Sequence, residues 1–142
     1  MAEFYIPIAI QRAVIVLSKG YCEYCFVPED FSNDFFQFDH IIPFSKGGSS
    51  ELKNIARTCG KCNGYKHHKT HHIDPLTQQP CRLYHPRQDD WSEHFRWHND
   101  KLTLIGKTPI GRTTIDLLQI NRYSSVNLRS LLKIVGLHPP IL

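Results

Sequence analysis

The sequence predicts an α+β fold in which two short strands and a helix are organised around four cysteines. Two C-x-x-C pairs, Cys22–Cys25 and Cys59–Cys62, are separated by 33 residues. This interval is longer than the spacer of a plain zinc ribbon, so a folded segment must lie between the pairs. With 142 residues and 41% apolar content the chain can bury one modest core, and we expect a single domain over residues 1–142.

A helix is expected to precede the first cysteine pair, over residues 7–18. Pro7 is tolerated in a first helical turn, and Gly20 is placed to end the helix. The apolar residues at helical spacing are Ile10, Val14 and Leu17.

Between the cysteine pairs the composition favours a hairpin. Residues 35–42 are aromatic and β-branched, which is typical of a strand, and Pro43 with Gly47-Gly48 turns them into a loop. Residues 55–58 are short enough to be the returning strand. A helix is expected over residues 61–70, directly after the second pair.

The last third is expected to form a hairpin and two helices. Residues 95–97 and 102–105 flank a turn, and Thr108-Pro109 provides a helix cap followed by proline. Ser124 or Ser125 could cap a final helix that runs to Val135 and closes at Gly136. Core packing is the expected role of its apolar residues, Leu128, Leu131, Leu132 and Val135.

The paired cysteines favour a structural zinc site. Each C-x-x-C loop can present two thiolates to one side of a tetrahedral ion, so we expect Cys22, Cys25, Cys59 and Cys62 to bind Zn²⁺. Disulfides, a dithiol redox centre and four unrelated buried cysteines are the alternatives. Disulfides suit secreted chains, and a fifth cysteine, Cys81, has no partner. A redox centre needs only one such pair.

Charge is concentrated in the middle of the chain. The formal net charge is +4, but residues 40–87 carry eight basic and two acidic groups, or +6. This excess favours a polyanionic partner, with an ordinary solvated lysine-rich face as the alternative. The amino terminus lacks the basic region of a secretory signal and no apolar run is long enough for a membrane span, so we expect a cytoplasmic protein without a membrane partner.

Four polar residues between and after the cysteine pairs are expected to meet. Asp39-His40 lies in the first strand, Asn54 precedes the second strand, and Asn63 lies in the following helix. A helix that crosses a hairpin brings such residues to one point, where a metal ion could be held. A surface Asp–His pair, a turn asparagine and a helix-capping asparagine are the alternative roles.

In these residues the chain resembles the HNH endonuclease family, whose core is the ββα-metal fold. The resemblance rests on the two cysteine pairs, Asp39-His40-Ile41-Ile42-Pro43, Gly47-Gly48-Ser49, Leu52-Lys53-Asn54-Ile55, and Cys62-Asn63 ahead of Lys66. It implies an HNH nuclease core over residues 19–72 with the four-Cys zinc site. A helix would precede this core, and a carboxy-terminal extension over residues 73–142 would follow it.

The resemblance also implies a role for each polar residue. His40 would be the general base that activates water for attack on a phosphodiester, and Asn54 would hold the loop and the imidazole. Asp39 and Asn63 would bind one divalent cation. The family name calls for a histidine at the last of these positions, and this sequence has Asn63 there. An oxygen pair of this kind favours Mg²⁺ or Mn²⁺ over Zn²⁺.

The expected partner is DNA, with RNA as the alternative substrate, and the oligomeric state is left open. Lys61, Lys66 and Lys69 are expected to contact phosphates. His67, His68, His71 and His72 recur at helical spacing and are expected to form a polar, partly cationic face near the substrate, with a second metal site as an alternative. The rival functions are a non-catalytic zinc module that binds nucleic acid and a zinc domain that binds protein.

Overall fold

The computed structural model describes residues 5–141 of the chain, which form five helices and three two-stranded hairpins. In chain order the elements are α1 (Ile8–Ser18), β1 (Gln37–His40), β2 (Ile55–Thr58), α2 (Gly60–Lys66), β3 (His71–Ile73), β4 (Pro80–Arg82), α3 (Trp91–His94), β5 (Phe95–Trp97), β6 (Leu104–Gly106), α4 (Pro109–Leu118) and α5 (Tyr123–Ile134). This arrangement confirms the α+β class and the strand–strand–helix core.

The central hairpin is antiparallel and its register fixes the site. Asp39 lies opposite Ala56, and His40 lies opposite Ile55. Val14 of α1 packs with Ile55 in a small apolar cluster on one side of this hairpin. Helix α2 contacts β1, so the hairpin is held between two helices.

The cysteines belong to the main core. Cys22, Cys25, Cys59 and Cys62 lie in one buried cluster with residues of the carboxy-terminal segment. These residues are Leu83, Tyr84, Phe95, Leu104, Leu117, Leu118 and Ile120. The expected boundary between residues 72 and 73 falls inside β3, so the two segments are joined by packing and by a shared strand.

Several elements follow the sequence expectation closely. Strand β2 has the expected bounds, and β5 with β6 forms the expected hairpin. Thr108 caps α4, because its side chain accepts a hydrogen bond from the Gly111 N–H at 3.2 Å. Helix α1 follows Pro7 and ends in the left-handed region at Lys19 and Gly20.

The helix after the second cysteine pair is shorter than expected. It ends at Lys66, and His67 has a φ of 51° that stops helical hydrogen bonding. Residues His71 and His72 lie instead in β3, which pairs with β4. The helical spacing of the four histidines therefore does not place them on one helix.

The final helix also differs from expectation. It begins at Tyr123 after Arg122, and its N-cap has no side-chain hydrogen bond, so neither Ser124 nor Ser125 is the cap. Leu132 is buried as expected, but Leu131 and Val135 are each 65% exposed. The sequence periodicity of this helix thus predicted a wider apolar stripe than the part that is buried in the core.

Candidate functional site

Two short loops bring the four cysteine sulfurs together. In the first loop the Cys22 N–H donates to Val27 O at 2.9 Å, and the Phe26 N–H donates to Cys22 O at 2.9 Å. In the second, Cys59 is the N-cap of α2 and its Sγ accepts from the Cys62 N–H at 3.4 Å. Both loops thus fold back on themselves and turn their sulfurs inward.

The geometry of the cluster fits a tetrahedral ion. The four Sγ atoms lie within 4.8 Å of one another, and all four cysteines are buried. The Sγ atoms of Cys25 and Cys59 are 3.7 Å apart. A zinc ion with bonds of about 2.3 Å sets sulfur separations of about 3.8 Å. The four cysteines therefore match a zinc site, as the sequence predicts.

Two arginines of the carboxy-terminal segment lie beside this cluster. The guanidinium of Arg122 approaches Cys59 Sγ at 3.9 Å. Burial alone would lower the pKa of Arg122, but attraction to the cysteine sulfurs raises it. Arg129 donates to the backbone carbonyl of Cys25 at 3.2 Å. Because four thiolates around Zn²⁺ carry a net charge of about −2, these cations complement the site.

A separate cleft contains the expected reactive residues. It has a volume of about 700 Å³ and is lined by Asp39 and His40 from β1 and by Asn63 from α2. Gln37, Gly64, His67 and His68 line it as well. The structure thus brings Asp39, His40 and Asn63 to one pocket, while Asn54 lies behind the adjacent loop.

Asp39 is held by a buried ion pair. Its Oδ2 lies 2.9 Å from the ammonium Nζ of Lys66, and both side chains are almost fully enclosed. Burial raises the pKa of the Asp39 carboxyl, and the Lys66 charge opposes that effect. Lys66 is only 1% exposed, so its ammonium faces Asp39 here and is not presented to a phosphate as the sequence led us to expect.

His40 is the more accessible member of the Asp–His pair. Its Nε2 forms a 2.9 Å hydrogen bond with the hydroxyl of Ser50 in the loop between the strands. Burial lowers the pKa of His40, and the adjacent Asp39 carboxylate acts in the opposite direction. The lowered pKa favours the neutral form of the imidazole, which is the form that can accept a proton.

Asn54 fixes the loop that carries Ser50. Its Oδ1 accepts from the Ile42 N–H at 2.8 Å, and its Nδ2 donates to Ile42 O at 3.0 Å and to Ser49 O at 2.8 Å. These contacts tie Asn54 to the loop backbone, and they reach His40 only through the loop. Gly48 is required here, since a Cβ atom would lie 1.7 Å from Ile42 O.

Sequence reasoning missed the residue that orients Asn63. The Asn63 Nδ2 donates to Oε1 of Gln37 on β1. Residues two apart on a strand share a face, so Gln37 and Asp39 both point toward α2. That periodicity is the signal that could have identified Gln37. Because this hydrogen bond uses Nδ2, the carboxamide oxygen of Asn63 remains as the atom that could bind a cation.

Comparison with known proteins identifies the segment that contains both sites. Residues 22–69 match the family model described as HNH endonuclease. Over this segment the chain is similar to the HNH endonuclease family. The match begins at the first zinc-site cysteine and includes every residue expected to act in the cleft. The match indicates a nuclease-like domain over these residues.

A curated relative extends the similarity beyond the HNH domain. The chain is 26% identical over 115 residues to the Septu protein PtuB of Bacillus thuringiensis. The similarity covers 80% of this chain and 41% of that protein. The chain therefore corresponds to less than half the length of this relative.

Two basic residues of the segment that matches the HNH family are exposed. Lys61 lies exposed on α2, and Lys69 lies exposed just after it. Within residues 5–141, no helix has the length and apolar character needed to cross a bilayer. Cys81 lies on β4 opposite His72, outside the four-sulfur cluster.

Proposed function

We propose that this protein is a metal-dependent endonuclease that hydrolyses phosphodiester bonds in DNA. In this proposal His40 is the general base, Asp39 and Asn63 bind one Mg²⁺ or Mn²⁺ ion, and Asn54 holds the catalytic loop. The four-cysteine zinc site stabilises the fold. The main support is that Asp39, His40 and Asn63, which come from two different elements, line a single open cleft.

The donor set of the cleft fits a hard divalent cation. Asp39 offers a carboxylate and Asn63 a carboxamide oxygen, and oxygen ligands are those that Mg²⁺ and Mn²⁺ prefer. When bound, such an ion would neutralise charge that develops on the phosphate and its departing oxygen. Two protein ligands leave the other coordination positions to water and substrate.

The remaining chemistry comes from residues of the chain itself. His40 would take a proton from the attacking water, and its contact with Ser50 would hold the ring in place. Asn54 would preserve that arrangement by fixing the loop backbone. Lys61 and Lys69 would contact phosphates on either side of the scissile bond. The charge of +6 over residues 40–87 supports a polyanionic substrate.

A nicking assay on supercoiled plasmid tests this proposal. Purified protein with Mg²⁺ or Mn²⁺ is expected to nick the plasmid, and EDTA is expected to stop the reaction. His40→Ala is expected to lower the rate by about 10²- to 10⁴-fold, the usual contribution of a general base. Asp39→Asn is expected to require more metal ion for the same rate.

His98→Ala is the matched control, because His98 lies exposed in the β5–β6 turn and outside the cleft. Its nicking rate is expected to equal that of the unmodified protein. Full activity of His40→Ala would contradict the assigned base. Salt-sensitive DNA binding without cleavage under any metal condition would favour a non-catalytic nucleic-acid-binding module.

A further inference from the structure

Lys66 has an environment that neither the fold nor a phosphate contact explains. Its side chain is one of the largest fully buried in the described part of the chain. The Nζ atom contacts Asp39 Oδ2 at 2.9 Å and donates to the backbone carbonyl of His40 at 3.3 Å. The ammonium therefore connects α2 to the last two residues of β1.

Lys66 approaches the carboxylate from outside the cleft. It lines a neighbouring cavity of about 280 Å³ with Ile41, Thr70 and Tyr84, and it is absent from the residues that line the Asp39–His40 cleft. The oxygen that it contacts, Oδ2, is buried. Asp39 itself lines the cleft, so Oδ1 is the oxygen that remains for a ligand there.

Stability alone is a poor reason to bury such a pair. Desolvation of two charges offsets much of their attraction, and hydrophobic replacements of similar volume are often neutral or stabilising. An ion pair does, however, fix the orientation of a carboxylate. Carboxylates that bind metals are commonly held in this way by a neighbouring group, and loss of that group weakens metal binding by about 10- to 100-fold.

We propose that Lys66 is a positioning residue for the divalent cation: it holds Asp39 through Oδ2 so that Oδ1 faces the ion. Lys66 and Asn63 lie on one side of α2, three residues apart. The same contact therefore sets the distance between the element that carries Asp39 and the element that carries Asn63. This inference rests on the cation site proposed above, and it adds a residue that does not touch the ion.

Mn²⁺ affinity tests the inference without any measurement of cleavage. Mn²⁺ is titrated into zinc-loaded protein, and the electron paramagnetic resonance signal of free Mn²⁺ gives the Kd. Lys66→Met removes the charge and keeps the length of the side chain, and it is expected to raise the Kd by about 10-fold or more. Lys66→Arg restores a cation and is expected to recover part of the affinity.

Lys133→Met is the matched control, since Lys133 lies exposed on α5 and far along the chain from the cleft. Its Kd is expected to equal that of the unmodified protein. Asp39→Asn separates the two proposals. If the unmodified protein shows no Mn²⁺ site that Asp39→Asn weakens, the proposed function fails. If Asp39→Asn weakens binding but Lys66→Met does not, the inference about Lys66 is overturned.

A measurement on the unmodified protein covers the case in which Lys66→Met does not fold. A buried ammonium exchanges its protons slowly, so the ¹⁵N-detected signal of Lys66 Nζ reports on its contact with Asp39. The signal is expected to persist when Mg²⁺ saturates the site. Loss of the signal, or tighter Mn²⁺ binding by Lys66→Met, would show that Lys66 competes with the ion, and it would overturn the positioning role.

Discussion

One helix, α2, carries residues of two sites that differ in every physical respect. At its start Cys59 and Cys62 belong to a closed cluster of four sulfurs inside the main core. One turn later Asn63 lines a cleft that is open to solvent, and Lys66 contacts the Asp39 carboxylate from outside that cleft. The two sites are adjacent along the chain, yet their environments separate their roles.

The difference between the two sites indicates that the four-cysteine cluster stabilises the fold and that the cleft is the place where a ligand could bind. Four thiolates fill the coordination sphere of a zinc ion, so that site can contribute only folding energy. The cleft offers few protein ligands and leaves room for water and a substrate. Removal of the first site is therefore expected to abolish the fold, whereas changes in the second are expected to alter function within an intact fold.

The largest effect is expected from Cys59→Ser. Structural zinc binding contributes about 10–16 kcal/mol in small metal-folded domains, which exceeds the usual stability of about 5–15 kcal/mol of a whole domain. Zinc content is expected to fall, and limited proteolysis is expected to cut both the HNH domain and the carboxy-terminal segment, because both share the cysteine core. We propose on this basis that the two segments fold as one unit.

Cys81→Ser is the control for that experiment, since Cys81 is a cysteine outside the cluster. Its zinc content and melting temperature are expected to stay close to those of the unmodified protein. Native zinc content in Cys59→Ser would refute the four-thiolate site. Proteolysis confined to the HNH domain would refute the single folding unit.

A smaller effect is expected from Asn54→Ala, which tests the loop beside the cleft. The change removes three hydrogen bonds to the loop backbone and should destabilise the protein by about 3 kcal/mol. Zinc should be retained while nicking falls, because the loop positions Ser50 against His40. Denaturant unfolding measures the loss of stability, and zinc analysis measures the zinc that is retained. Asn99→Ala, in an exposed turn, is the control. Loss of zinc would show that the sites are coupled.

Gly48→Ala examines the same loop by crowding it. The added Cβ would lie 2.7 Å from Asn54 Nδ2 and closer still to Ile42 O, so the loop must shift, at a cost of about 1–3 kcal/mol. At Gly64 on α2 no atom lies within 4 Å of an added Cβ. Gly64→Ala should therefore stabilise the helix by about 0.5–1 kcal/mol. Equal effects of the two changes on unfolding would contradict the tight loop.

The smallest effect concerns acid stability and lies outside both sites. Asp74 accepts two hydrogen bonds from Arg112 at 3.0 and 2.9 Å, and these contacts lower the pKa of its carboxyl. A folded pKa below the unfolded value of about 3.9 contributes stability above that pH, which is lost as the pH falls through the folded value. In Asp74→Asn the free energy of unfolding should therefore fall less steeply as the pH is lowered. Asp30→Asn, an exposed carboxylate, is the control, and an unchanged pH dependence in Asp74→Asn would refute the linkage.

Local signals in the sequence were sufficient for much of the fold. The cysteine spacing predicted the sulfur cluster, the short segment 55–58 before the second cysteine pair predicted β2, and Thr108-Pro109 predicted the start of α4. Each signal acts over a few residues, through turn geometry, side-chain shape or a capping hydrogen bond. The grouping of Asp39, His40 and Asn63 in one cleft followed from the order of these elements.

Long-range packing decided what local signals could not. Lysine is usually an exposed residue, so only the approach of α2 to β1 shows that Lys66 is buried against Asp39. The helical pattern through the histidines was equally misleading, because pairing with β4 draws His71 and His72 into a strand. Partial packing of α5 likewise leaves Leu131 exposed and Leu132 buried.

From residue type and spacing the sequence by itself predicted the four cysteines that could bind zinc, and its resemblance to HNH endonucleases implied the roles of Asp39, His40, Asn54 and Asn63. Only the tertiary structure decided how those residues are supported. Gln37 behind Asn63, Lys66 behind Asp39 and Arg122 beside Cys59 come from separate elements. Such contacts depend on how helices and strands pack, and packing is a property of the whole chain that no short pattern encodes.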